Sequence, residues 1–221
     1  MDTLKIQKEQ TRMIAHRGVS GLETENTYSA FLAAANRSYY AIELDIHLTK
    51  DGEFVVIHDE TTKRLSNHNL VIHQSTLSQL QEIELFEFEK HTPNPYHKIM
   101  TLREALVLFR KYGKKCLIEI KPSLFSSELE NLLQLVKSVG MLHGVYFISF
   151  QLENLIALRK INKEIKLQYL INMYEPKALE ACKKYKMGIN INYNELSLDI
   201  VKIFHNNQIE VNVHTVDNPI V

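Results

Sequence analysis

The chain has 221 residues, 45% apolar and 24% charged, a balance that fits a soluble globular fold and argues against disorder, collagen or a coiled coil. Lys and Arg total 26 against 26 Asp and Glu, so a net charge of zero argues against a protein that coats nucleic acid. The two cysteines, Cys116 and Cys182, are too few for a disulfide framework or a cysteine-rich zinc site, and read as buried thiols in a reducing compartment.

Residues 1–11 are polar and show no apolar secretion signal, and the longest apolar run, 145–150, is far too short for a bilayer. A cytoplasmic protein with no transmembrane segment is expected. Along the chain, short β-rich runs alternate with helical patterns. Residues 13–16 read as a first strand. Residues 25–36 read as a helix with Thr24 or Asn26 as N-cap and Phe31, Leu32 and Ala35 on its apolar side. A second strand spans 40–47, Lys50-Asp51-Gly52 signals a turn, and 54–58 extends beyond it. The stretch 61–98, broken by Pro93-Asn94-Pro95, reads as an insertion with one short helix near 77–88. Helices are then expected at 102–112, 127–139, 152–161, 176–185 and 198–206. Strands are expected at 116–121, 145–150, 166–171, 188–191 and 209–214.

Seven strands joined by helical crossovers imply a parallel sheet covered by helices. An open doubly wound sheet and a (β/α)8 barrel both fit this alternation. The barrel wants an eighth βα unit, and the sequence ends at Val221, just after strand seven.

Strands buried on both faces should be continuously apolar. Two of these break the rule in phase. In Ile42-Glu43-Leu44-Asp45-Ile46-His47 the aliphatic residues take one face and Glu43, Asp45 and His47 the other. In Leu117-Ile118-Glu119-Ile120-Lys121, Glu119 and Lys121 share a face. Two carboxylates about 6 Å apart at an effective dielectric near 20 repel by roughly 3 kcal/mol. Three mutual pairs would cost on the order of 8 kcal/mol, comparable with the stability of a domain. Lys121 offsets part of this. A hard divalent cation held by Glu43, Asp45 and Glu119 would offset more, and oxygen-only ligation favours Mg²⁺ or Ca²⁺ over zinc. The competing reading is a solvated sheet edge with ordinary exposed charges. His16-Arg17-Gly18 and His58-Asp59 fall at strand ends, where an imidazole can exchange protons and Arg17 can grip a phosphate.

These segments together resemble the glycerophosphodiester phosphodiesterase family. The match rests on Ala15-His16-Arg17-Gly18, Glu25-Asn26-Thr27-Tyr28-Ser29-Ala30-Phe31, Ile42-Glu43-Leu44-Asp45, Thr49-Lys50-Asp51-Gly52 and Val55-Val56-Ile57-His58-Asp59-Glu60-Thr61. It continues through Arg64, Thr101-Leu102-Arg103-Glu104-Ala105-Leu106, Ile118-Glu119-Ile120-Lys121, Ser149-Phe150 and Val213-His214-Thr215-Val216, and so spans about residues 13 to 217. The resemblance implies one TIM-barrel-type (β/α)8 domain over 1–221, with an insertion at 61–98 after strand two and without the eighth unit. It implies metal-dependent hydrolysis of glycerophosphodiesters to glycerol 3-phosphate and an alcohol, a reaction of glycerol and lipid metabolism. Carried over by position, Glu43, Asp45 and Glu119 are the metal ligands, His16 and His58 the acid/base pair, and Arg17 and Lys121 the phosphate ligands. The expected partner is a small-molecule substrate, with no nucleic acid.

The sequence departs from the family at three points. Relatives carry a tryptophan where His214 stands, which alters the wall for the glycerol end. They carry a proline where Thr24 stands. They also continue with an eighth strand and helix, so a truncated or naturally shortened chain is expected. Such a chain would be marginally stable, or its sheet edge would be covered by another segment or another copy in a homo-oligomer.

Two alternatives stay open. One is a lysophospholipase D, which needs an apolar groove for an acyl chain. The other is a non-catalytic barrel that binds phosphate or metal. Leu85-Phe86-Glu87-Phe88 could grip such a chain, but reads better as a local cluster. Tyr39-Tyr40 read as packing residues and Lys183-Lys184 as a solvated helix face. His68, His73, His91 and His97 read as surface residues, and His47 as a neighbour of the cation but not its ligand.

Overall fold

Each strand-and-helix unit lays its strand beside the previous one. A computed structural model describes residues 4–5 and 11–216. Its elements are β1 (Ile14–Ala15), α1 (Tyr28–Ala35), β2 (Ala41–Leu48), β3 (Phe54–Val56), α2 (Leu77–Glu82), β4 (Leu85–Phe86), β5 (Pro93–Asn94) and β6 (Met100–Thr101). They continue with α3 (Leu102–Lys111), β7 (Lys115–Ile120), α4 (Ser126–Ser138), β8 (Val145–Ser149), α5 (Leu152–Ile161), β9 (Lys166–Ile171), α6 (Pro176–Tyr185), β10 (Gly188–Asn192), α7 (Leu198–Asn206) and β11 (Val211–His214).

Among the described residues seven strands pair in parallel in the order β1-β2-β7-β8-β9-β10-β11. Sequential neighbours joined by helical crossovers are the winding of a (β/α) barrel. No ladder joins β1 to β11 among the described residues. Arg12, just before β1, reaches within 3.6 Å of Glu210, just before β11.

The two faces of the sheet are packed differently. Ile42, Leu44 and Ile46 of β2 and Ile118 and Ile120 of β7 point outward and join Phe31, Leu106, Phe109, Leu132, Leu155 and Phe204 in the main core. The opposite face carries Ala41, Leu117, Tyr146, Ile148 and Leu170, a separate apolar cluster at the floor of the barrel. Above that floor, toward the C-terminal strand ends, the inward residues turn polar.

Strand β2 has partners along both flanks. β7 covers one over six residue pairs, Ala41↔Lys115 to Ile46↔Ile120. β1 pairs with Ala41 and Ile42 on the other flank, and antiparallel β3 with Ile46 to Leu48. The β2–β3 turn uses Gly52 at φ 84, where an L side chain would be strained. Asp51 accepts from Thr49 Oγ1 at 2.6 Å and from the Leu77 amide at 3.0 Å, so the turn also caps α2.

Several expected boundaries shift. The helix expected at 25–36 starts only at Tyr28, and its cap is Thr27, whose hydroxyl accepts from the Ala30 amide, not Thr24 or Asn26. Asn26 instead lies at φ 56 in a loop whose amide bonds to the Arg17 carbonyl. The insertion helix ends at Glu82, and Leu85–Phe86 pairs antiparallel with Pro93–Asn94. Leu85 packs with Ile57, Ile72, Leu80, Ile83 and Ile99 in a satellite core, the local cluster the sequence suggested. Met100–Thr101 adds an unexpected short strand to β3. His97 is buried, not on the surface: its Nδ1 donates to the Phe86 carbonyl at 3.2 Å and its ring faces Ser29. Cys116 and Cys182 are free and buried. Among the described residues no helix is long and apolar enough to cross a membrane.

Candidate active site

Strand register assembles the acidic cluster. Asp45 of β2 lies directly beside Glu119 of β7, and Glu43 sits two residues below Asp45 on the same face. A slip of one residue would turn all these carboxylates into the outer core. Their nearest ligand oxygens lie within 4.8 Å of one another. All are buried, at 5% exposure for Glu43, 0% for Asp45 and 9% for Glu119. The solvated-edge reading therefore fails for this face.

Cations and donors surround the cluster but do not saturate it. The Arg17 amide donates to Glu43 Oε2 at 2.9 Å, a geometry set by Arg17 at φ 53. Gly18 follows at φ 84, and a Cβ there would lie 2.7 Å from the Ala30 backbone, so only glycine lets this loop settle on α1. Asn26 Nδ2 donates to Asp45 Oδ2 at 2.9 Å. Lys121 Nζ is 2.7 Å from Glu119 Oε1 and 3.7 Å from Asp45 Oδ1. Arg17 Nε stands 3.3 Å from Asp45 Oδ2 without hydrogen-bond alignment, and so remains an unspent donor. Glu43 Oε1 and Asp45 Oδ1 are buried and accept from no protein donor.

The electrostatics follow from this crowding. Burial, then the charges of Asp45 and Glu119, push the Glu43 carboxyl well above its ordinary range. Burial and Asp45 also raise Glu119, with Lys121 opposing. For Arg17 burial works against the charge, but Asp45, Glu25 and Glu43 outweigh it and the guanidinium pKa rises. Two orphaned anionic oxygens in a set of hard ligands fit a hard divalent cation. Glu43, Asp45 and Glu119 are the residues that would hold it.

His58 reaches the cluster because β3 runs back along β2, and the ladder continues with the Ile57 amide bonding to the Asp45 carbonyl. Its Nδ1 donates to Asp59 Oδ1 at 2.6 Å, which fixes the ring and leaves Nε2 outside that contact. His47, on the acidic face, donates through Nε2 to the His58 carbonyl at 3.0 Å, so it anchors the segment that carries the imidazole. His58 and His16 both lie just past strands of the sheet, and the charge of His58 is felt at Glu119 and that of His16 at His214. His16 follows β1 directly.

A chain of ion pairs that no sequence motif announces links His58 to Arg17. Asp59 Oδ2 accepts from Arg64 Nε at 2.6 Å. Arg64 grips Glu25 through both terminal nitrogens, at 2.9 and 2.8 Å, and Glu25 accepts from Arg17 Nη1 at 3.0 Å. Although burial opposes it, the hydrogen bonds from Arg64 and His58 hold the Asp59 carboxyl down at about 2. Arg64 thus holds the carboxylate partners of both His58 and Arg17 without touching the cluster. Replacing Arg64 by leucine is expected to lower turnover about 10- to 10²-fold by loosening both groups. Arg64 is half exposed, so the melting temperature should change little. Lysine, which lacks the planar fork, should rescue only in part. Steady-state kinetics with parallel thermal melts check this, and equal loss of stability and turnover would make the residue merely structural.

A barrel with carboxylates, a guanidinium and imidazoles at its strand ends carries the groups that phosphate-ester cleavage needs. The sequence profile of the glycerophosphoryl diester phosphodiesterase family matches residues 16–221. A glycerophosphodiester phosphodiesterase of Caldanaerobacter subterraneus subsp. tengcongensis is 33% identical over 172 residues, covering 76% of this chain and 70% of that protein. An uncharacterised Mycoplasma genitalium protein is 35% identical over 162 residues, 72% of this chain and 66% of that one, just under two thirds of its length. The fold matches that of an Oleispira antarctica phosphodiesterase solved with its product sn-glycerol-3-phosphate, at a TM-score of 0.84 and 22% identity over 94% of this chain and 85% of that one. The chain belongs to the glycerophosphoryl diester phosphodiesterase family, and its enzyme class is phosphoric diester hydrolase.

Proposed function

We propose that the protein hydrolyses glycerophosphodiesters to glycerol 3-phosphate and an alcohol with the help of a divalent cation, Mg²⁺ or Ca²⁺. One observation carries this reading: the unpartnered oxygens of Glu43 and Asp45, buried beside Glu119. The product named for the Oleispira neighbour supports the same chemistry.

Arg17, with its unspent Nε, and Lys121 bind the phosphoryl oxygens and orient the diester. His16 and His58 divide the proton transfers: one takes a proton from the attacking oxygen, and the other gives one to the departing alkoxide. Asp59 keeps the His58 ring from turning, so Nε2 faces the reacting atoms in either protonation state. When bound, the cation supplies charge neutralisation at the phosphoryl group. We read residues 1–221 as one phosphodiesterase domain with 61–98 inserted, and place it in the cytoplasm on the strength of two free buried thiols.

The deciding experiment follows glycerol 3-phosphate release from glycerophosphocholine and choline release from a lysophosphatidylcholine, with and without EDTA. Chelator-sensitive turnover of the first supports the reading. Turnover of the lysophospholipid alone would favour a lysophospholipase D. Metal binding without any turnover would favour a binding protein.

The raised carboxyl groups also set a pH dependence. In the metal-free protein, Glu43 and Glu119 hold protons more tightly when folded than when unfolded. Their effect on stability is therefore fully present below the ordinary glutamate range and is lost as pH rises from that range through the raised values. A cation needs both groups deprotonated, so its binding releases protons. The rise in melting temperature on adding Mg²⁺ or Ca²⁺ should be larger at pH 8 than at pH 5.5. Equal rises at both would contradict this assignment.

A further inference from the structure

Among the described residues, five buried side-chain polar atoms have no hydrogen-bond partner. Arg17 Nε, Glu43 Oε1 and Asp45 Oδ1 belong to the carboxylate cluster. The other two, Gln168 Nε2 and His214 Nε2, lie on β9 and β11, across the barrel. Gln168 sits deep: it is 1% exposed, packs on Gly188, and its Oε1 accepts from Asn212 Nδ2 at 2.7 Å. His214 ends β11 at the mouth, in register with Asn192.

The ring of His214 is held on two sides. Nδ1 lies 2.9 Å from Asn190 Oδ1, and an oxygen acceptor there requires the proton to be on Nδ1. Phe150 meets the ring edge-on at 5.8 Å between centroids. Nε2 is then a bare lone pair. Burial, followed by the charges of His16 and Lys121, lowers the imidazole pKa to about 4, so the ring stays neutral under ordinary conditions. A neutral acceptor with no proton to give cannot bind a phosphoryl oxygen. It can receive a hydroxyl. The diester this mouth takes has hydroxyls only on its glycerol moiety when the alcohol is choline.

We propose that His214 Nε2 accepts a hydrogen bond from a hydroxyl of the substrate's glycerol moiety and is a specificity-determining residue of this enzyme. This rests on the phosphodiesterase reading. A substrate that lacks the hydroxyl leaves a buried acceptor unpaired, which should cost at least about 10-fold in kcat/KM.

The test uses glycerophosphocholine and two analogues, 2-hydroxypropyl and 3-hydroxypropyl phosphocholine, each lacking one of the two hydroxyls. Choline release is read for the wild type, His214→Phe and His214→Ala. In the wild type, at least one analogue should fall about 10-fold or more below the parent. In both variants the parent should drop toward that analogue while the analogue itself changes less than about 3-fold, the signature of a coupled pair. His214→Ala guards against a phenylalanine variant that fails to fold. Normal turnover with equal treatment of all three diesters by the wild type overturns the proposal, as does an equal loss on all three in the variants. Absence of choline release by the wild type overturns the phosphodiesterase reading and this proposal with it.

Discussion

His58→Ala is expected to lower kcat for glycerophosphodiester hydrolysis about 10²- to 10⁴-fold, the usual worth of one positioned acid or base. The side chain sits at the end of the β3 return and its Nδ1 is fixed by Asp59. Removing it should leave the carboxylate cluster assembled, because Glu43, Asp45 and Glu119 are set by the β2–β7 register. Metal affinity and substrate KM should therefore stay within a few-fold of the wild type. The pH–rate profile should lose one limb. A loss below about 5-fold would remove His58 from the chemistry. An equal collapse of metal affinity would make it a structural support.

The second large effect is expected at Asp45, the most buried of the trio. Asp45→Asn keeps the shape but removes the charge that Glu119 faces across the strand pair. Cation affinity should fall by more than about 10²-fold and turnover by about 10³-fold, as befits several kcal/mol of lost charge stabilisation. Without metal, the melting temperature should hold or rise, because Asp45 is the leading like-charge neighbour of both Glu43 and Glu119. Calorimetric metal titration with parallel thermal melts checks both halves. Unchanged metal affinity would sink the assignment.

Much of this was legible in the chain because period-2 polarity survives translation into structure. The phase of Glu43 and Asp45 on one strand and Glu119 and Lys121 on another placed them on inward faces. What brought Asp45 beside Glu119 was register, and register is decided by packing of the outer aliphatic residues against helices. Local propensity misled at 25–28. Thr27, not Thr24 or Asn26, caps the helix, because Asn26 is drawn away to hold Asp45. His97 looked like a surface residue because nothing in its neighbourhood shows that the insertion folds back over Ser29. The Asp59–Arg64–Glu25–Arg17 chain joins residues up to 39 positions apart, beyond the reach of any short motif.

The groups proposed for the chemistry all precede residue 122, on β2 and β7 or just after β1, β3 and β7, whereas β8 to β11 contribute neutral side chains such as Gln168, Asn190 and His214 to the interior. Under the proposed function, proton transfer and phosphate binding fall to the first half of the polypeptide, and discrimination at the glycerol end to the second. On that reading, substitutions in the later half would change which diester is accepted while leaving the carboxylate cluster and its imidazoles in place.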